Sequence, residues 1–91
     1  MVLGKVVGTV WATRKDEQLK GLTLQIVREL SLDGTLKDRF VVAVDSVGAG
    51  VGETVLLVQG SSARQTDATR NRPIDAVITA IVDKIDLVVK T

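Results

Sequence analysis

The dipeptide Asp33-Gly34 lies between two apolar runs, LTLQIVREL over residues 22–30 and RFVVAVDSV from Arg39, and it constrains the fold more than any other feature. Asp-Gly between apolar segments is a strong hairpin signal, because glycine accepts a positive φ without steric cost. It also resolves an ambiguity in the preceding run. Leu22, Leu24, Ile26 and Leu30 alternate with Thr23, Gln25, Val27 and Glu29 as in a strand, yet Leu22, Ile26, Val27 and Leu30 would equally stripe a helix. A turn directly downstream makes residues 22–30 a strand and the run from Arg39 its return partner.

The rest of the chain is read against that hairpin. The opening MVLGKVVGTVWAT is rich in β-branched residues, with Val6, Val10 and Ala12 on one parity and Lys5, Thr9 and Thr13 on the other, which predicts a strand. Gly4 and Gly8 share the parity of Val6, and glycine within a strand marks coiling or close backbone approach. The polar stretch RKDEQLKG reads as a loop, and ETVLLVQG from Glu53 as a further strand. Short strands with turn chemistry between them indicate a sandwich or small barrel. The run RPIDAVITAIVDKIDLVVK differs. Ile74, Val77, Ile78, Ile81, Val82, Ile85, Val88 and Val89 fall on a helical stripe behind Pro73, so periodicity alone predicts a helix there, against a high density of β-branched residues.

At 91 residues the chain reads as one domain over residues 1–91, near the size where a lone core is marginal. Its hydrophobic fraction is 45%, and a body this small cannot enclose so much apolar surface. Self-association is the expected outlet. The net charge is +1, from 12 basic and 11 acidic side chains. The densest basic spots, Arg14-Lys15 and Arg70 with Arg72, have acidic neighbours and read as solvated loops, not as a phosphate-binding stripe. Without cysteine there are no disulfides or thiolate metal sites, in keeping with a reducing compartment. Without histidine the commonest general base and metal ligand are missing. No apolar run approaches the roughly 20 residues of a membrane span, and no signal peptide opens the chain, so the expectation is a soluble intracellular protein.

Three groups of residues invite a chemical reading. Gly48, Gly50 and Gly52 suggest a phosphate loop. Glu53 precedes a strand-like TVLLV, however, where a dinucleotide fingerprint needs a third glycine and a helix, and there is no Gly-Lys-Ser/Thr. A loop using positive φ at several glycines explains the cluster. GSSAR, residues 60–64, suggests a nucleophile, but no histidine can activate Ser61 or Ser62. Those serines instead read as caps of a short helical turn through Ala63 and Arg64, with Arg64 free to hold a carboxylate or carbonyl across an interface. Asp45, Asp75, Asp83 and Asp86 are scattered without metal-loop spacing. No catalytic, metal or cofactor residue is assigned. Trp11 and Phe40 are the large aromatics; Trp11 lies on the parity opposite Val6 and Val10, which points it toward a neighbouring subunit or into a partial interface.

The order GKVVGTVWATRK, VAVDSVGAGVGETVLLVQGSSARQ and RPIDAVITAIVDKID resembles the EutN/CcmL family of bacterial microcompartment vertex proteins over essentially the whole chain. The most specific elements are Asp45-Ser46-Val47-Gly48-Ala49-Gly50 followed by Gly60-Ser61-Ser62-Ala63-Arg64, with Pro73-Ile74-Asp75 and Ile81-Val82-Asp83 closing the match. The resemblance implies an all-β fold, a small five-stranded barrel related to the OB-fold with one short helix after the fourth strand. The last strand then runs from about Ala76, against the helix that periodicity predicts.

The resemblance further implies a cyclic homopentamer capping the fivefold vertices of a microcompartment shell in the cytoplasm. Its partners would be itself and the hexameric and trimeric shell proteins of the same compartment, with no cofactor, nucleic acid or membrane. Ser46, Val47, Gly48, Ala49 and Gly50 would lie at subunit contacts or near the central axis, while Gly60, Ser61, Ser62 and Arg64 would lock neighbours together. The loop sequences are closer to metabolosome than to carboxysome members. The alternative by fold analogy is an OB-like module binding single-stranded nucleic acid, which stacks bases on several aromatics over a basic groove; this chain has neither.

Overall fold

The computed structural model describes residues 1–67, 69, 70 and 72–88. Five strands, β1 (Val2–Val10), β2 (Thr23–Leu30), β3 (Leu36–Asp45), β4 (Thr54–Gln59) and β5 (Ala76–Val82), close into a barrel in the order β1-β2-β3-β5-β4. Neighbours are antiparallel except β3 and β5, which meet in parallel at Val44–Val77 and Asp45–Ile78. Two 3-10 turns complete the described elements, Glu17–Leu19 and Gly60–Gln65. The barrel related to the OB-fold and the short helix after the fourth strand are therefore present, the helix in its tighter 3-10 form.

The β2–β3 hairpin turns at the predicted dipeptide, though its loop is one residue longer than a two-residue turn. Ser31 N–H donates to the Thr35 carbonyl at 2.8 Å and Gly34 N–H to the Ser31 carbonyl at 2.9 Å, with Gly34 at φ 90°. This is the three-residue hairpin with glycine in the left-handed position. The Thr35 N–H donates to Asp33 Oδ1 and holds that carboxyl below its ordinary pKa.

Bulges explain why two sequence patterns mislead. On β1, Val6 pairs with Val27 and Gly8 with Ile26, so Val7 is an extra residue that flips the parity. Val6 points into the barrel and Thr9 does too, donating to Gln25 Oε1 at 2.7 Å, whereas Val10 does not share the face of Val6. The predicted common face of Val6 and Val10 is thus corrected. On β5, Leu56 pairs with Ala80 and Leu57 with Ile78, leaving Thr79 as the extra residue. Ile78 and Ile81 consequently both reach the interior at a spacing of three, the spacing of a helix.

Val77 is buried on the opposite face, so β5 is covered on both sides and reads as a continuous apolar run. That is why the helix expected behind Pro73 is a strand. It ends at Val82, and residues 83–88 continue without regular structure; Val89, also in the predicted stripe, lies outside the described residues.

The interior is filled by Val6, Val27, Ala43, Ala49, Val55, Leu57, Ala76 and Ile78. A second cluster, Val44, Ala63, Ile74 and Val77 with Leu19, Leu22, Leu24 and Val58, lies outside the barrel wall under the two 3-10 turns. Gly4 is where β1 and β2 approach most tightly. A Cβ there would overlap the Val27 side chain and crowd the Arg28 carbonyl at 3.2 Å, whereas one at Gly8 meets Ile26 at an ordinary 3.4 Å. Gly4→Ala is accordingly expected to lower the urea unfolding free energy by about 1–3 kcal/mol, while Gly8→Ala stays within about 0.5 kcal/mol of the parent.

Candidate assembly interface

The loop between β3 and β4 is held by its own side chains. Asp45 Oδ1 accepts from the N–H groups of Val47 and Gly48, each at 3.0 Å, and Glu53 Oε1 accepts from Gly50 N–H at 2.6 Å. Gly52 N–H donates to the Val6 carbonyl at 2.8 Å. A phosphate cradle needs such N–H groups free and no carboxylate among them. Here they are taken, two of the acceptors being carboxylates, so the loop cannot serve as an anion site.

The same residues tie the loop to the barrel. Ser46 Oγ donates to the Ile78 carbonyl at 2.7 Å, and Gln25 Nε2 donates to the Ala49 carbonyl at 2.9 Å from inside the barrel. Ala49 is buried and packs in the interior, while Ser46, Val47, Gly48 and Gly50 are exposed. Positive φ falls at Gly48 (76°) and Gly52 (95°) but not at Gly50, in keeping with a loop that uses it at several of its glycines.

The 3-10 turn Gly60–Gln65 is anchored from below. Gly60 N–H donates to the Asp75 carbonyl at 2.7 Å, and Ala63, fully buried, joins the outer cluster. Its cap position is Gln59, without a side-chain capping bond, so Ser61 and Ser62 stand exposed within the turn and do not cap it. Arg64 is exposed and its guanidinium reaches the Ile74 carbonyl of its own chain at 3.4 Å. Loop and turn are thus separate features, each presenting small or polar side chains outward from a fixed backbone.

No catalytic grouping emerges among the described residues. Among the described residues, no three of the His, Cys, Asp or Glu type cluster as a metal site would require. Asp45 serves the loop, and Asp75 contributes its backbone carbonyl to the turn. Phe40 is covered by the Arg28 guanidinium, 5.3 Å from its centroid, and Trp11 follows the end of β1 with 88% of its surface exposed. Trp11 owes that exposure to its place beyond the strand, since the bulge at Val7 removes the parity argument. Sequence reasoning missed Gln25 and Glu53. Asp45 three residues before Gly48 was a readable signal for a side-chain-to-backbone turn, whereas Gln25 looked like one more polar residue of an alternating strand.

Residues 1–83 match the family model described as ethanolamine utilisation protein EutN/carboxysome. The chain belongs to the EutN/CcmL family. It is 44% identical to the carboxysome shell vertex protein CcmL of Nostoc sp., covering 93% of this chain and 85% of that protein. It is 47% identical to the bacterial microcompartment shell vertex protein PduN of Salmonella typhimurium, covering 93% and 98%. Near-equal identity to the two kinds of relative does not bear out the closer metabolosome likeness. The solved pentameric microcompartment shell protein GrpN of Rhodospirillum rubrum superposes with a TM-score of 0.89 at 44% identity, covering 97% of this chain and all (100%) of that one.

Within this EutN/CcmL barrel, the roles of Gly48 and Gly50 separate by substitution. Gly48→Val places a β-branched residue at a left-handed φ and is expected to lower stability by about 1–3 kcal/mol. A Cβ at Gly50 would meet only Glu53 Oε1 at 3.5 Å. Gly50→Ala should therefore change the urea midpoint little, by about 0.5 kcal/mol or less in free energy.

Proposed function

We propose that the chain is a structural subunit that assembles as a closed homopentamer and occupies the fivefold vertices of a bacterial microcompartment shell. The observation that carries this reading is the superposition on the pentameric shell protein GrpN over nearly the whole of both chains. The mechanism is geometric. Flat hexagonal tiles cannot close a shell without pentagonal positions, and a subunit that repeats about a fivefold axis supplies one. A heterologous contact whose rotation closes makes a ring with no unsatisfied edge.

The protein acts without catalysis in this role, and its neighbours in the shell are hexameric and trimeric tiles. The exposed face of the loop Ser46–Gly50 and the turn Gly60–Arg64 would lie against neighbouring subunits or toward the axis. Their internal hydrogen bonds support this: both are fixed in the single chain, so little ordering cost would oppose association. Ala49 contributes from beneath, by anchoring the loop to the interior.

Co-expression with hexameric shell proteins of one compartment tests the reading. Electron microscopy should show closed polyhedral shells when the chain is present and open or elongated sheets and tubes when it is left out. Equally closed shells in its absence would contradict the vertex role.

A further inference from the structure

Glu29 is the one buried carboxylate among the described residues. On β2 the inward set is Gln25, Val27 and Glu29, while Leu24 and Ile26 lie on the other face opposite Val44 and Val42. Gln25 is satisfied within the barrel by Thr9 and the Ala49 carbonyl. The charged partner of Glu29 is Arg39 of β3, whose Nε lies 3.6 Å from Glu29 Oε2. The glutamate side chain is 9% exposed and the arginine 76%. Taking a carboxylate out of water for a single long ion pair costs stability, and well-packed apolar residues in place of such a pair are often neutral or stabilising. The pair therefore needs a reason other than holding the barrel together.

The strand beside it supplies one. β3, at ten residues, is the longest of the five, and its pairing with β5 is confined to Val44 and Asp45 among the described residues. From Leu36 to Ala43 its second edge has no described strand along it, and Leu36, Phe40 and Val42 stand exposed on that stretch. A long apolar edge is a template for pairing with the edge of another chain. This one is not flat. Arg28 pairs with Phe40 and Leu30 with Leu36, so Glu29 alone faces Lys37, Asp38 and Arg39, a bulge of two extra residues on β3. Arg28 pins the bulge: its Nε donates to the Lys37 carbonyl at 2.7 Å, and its guanidinium covers the Phe40 ring. The three bulged residues are all charged and all exposed.

A bulge, a run of charges and an inward-pointing charged residue are each ways of keeping a strand edge from pairing. All three coincide here. We infer that Glu29 and Arg39, with the bulge between them, form an assembly safeguard that bars the Leu36–Ala43 edge from adding a strand of a second copy. An incoming strand would have to flatten the bulge. Flattening breaks the bond from Arg28 to the Lys37 carbonyl and draws Arg39 away from Glu29, which leaves a buried carboxylate unpaired. The stability given up to bury Glu29 thus returns as a block on open-ended growth. The inference concerns the β3 edge alone and does not depend on how many copies the closed assembly holds.

Glu29→Val combined with Arg39→Val removes the pair and keeps strand-forming side chains in its place. The double variant should fold, with a urea midpoint at or above that of the parent. In sedimentation velocity the largest species of the parent should stay the same as its concentration is raised. The double variant should instead grow severalfold in mass, with rising thioflavin T fluorescence and filaments in electron micrographs. If it fails to fold, Arg28→Met takes its place, because it frees the Lys37 carbonyl at an exposed bond, and it should grow in the same way. A folded variant that keeps the size distribution of the parent and stays dark to thioflavin T would overturn the safeguard. So would growth that appears only as the circular dichroism of the barrel is lost, since unfolding and not the edge would then drive it.

Discussion

A barrel of five short strands has an interior only a few side chains wide, and that limit governs how the rest of the chain is used. Valines and alanines nearly fill it, with Leu57 and Ile78 the large buried exceptions. The remaining apolar residues of a chain that is 45% hydrophobic must lie on the outer walls. Part of that outer surface is roofed internally, by Leu19, Ala63 and Ile74 over Val44 and Val77. What the 3-10 turns do not reach stays open to a neighbour. The width of the barrel thus leaves apolar surface on the outer walls, and the positions of the turns decide which part of it is covered within the single chain.

The same economy explains the polar residues in unexpected places. Gln25 faces inward on β2, where apolar packing would be the default, and it links Thr9 of β1 to the carbonyl of Ala49. A buried amide is costly unless satisfied, and here both ends are used. The outcome is a loop whose position is fixed from within the barrel, with Asp45 and Glu53 fixing it from the edges. Anion binding is lost through that arrangement, and a rigid rim is gained.

The sequence was informative where local chemistry decides the outcome and misleading where the barrel does. Asp33-Gly34 located the hairpin, and Gly60 with Ala63 located the turn after β4, because turn geometry is set by a few adjacent residues. The face assignments failed at Val7 and Thr79, since a bulge is fixed by the partner strand and leaves no mark in the strand's own alternation. Thr79 gave β5 a helix-like spacing, and the family resemblance, not the periodicity, supplied the correct element. The candidate residues Ser46 to Gly50 and Gly60 to Arg64 were found as motifs, but their use of backbone hydrogen bonds was not legible. Least visible of all was the outward turn of Leu24 and Ile26, because alternation shows that a strand has two faces without saying which is inside.

The central claim is a closed ring of five, and the mass of the native assembly in dilute solution tests it most directly. Sedimentation equilibrium of the unmodified chain should return five times the 9.7 kDa subunit, unchanged across a tenfold dilution. A stable monomer at the same concentrations would contradict the account.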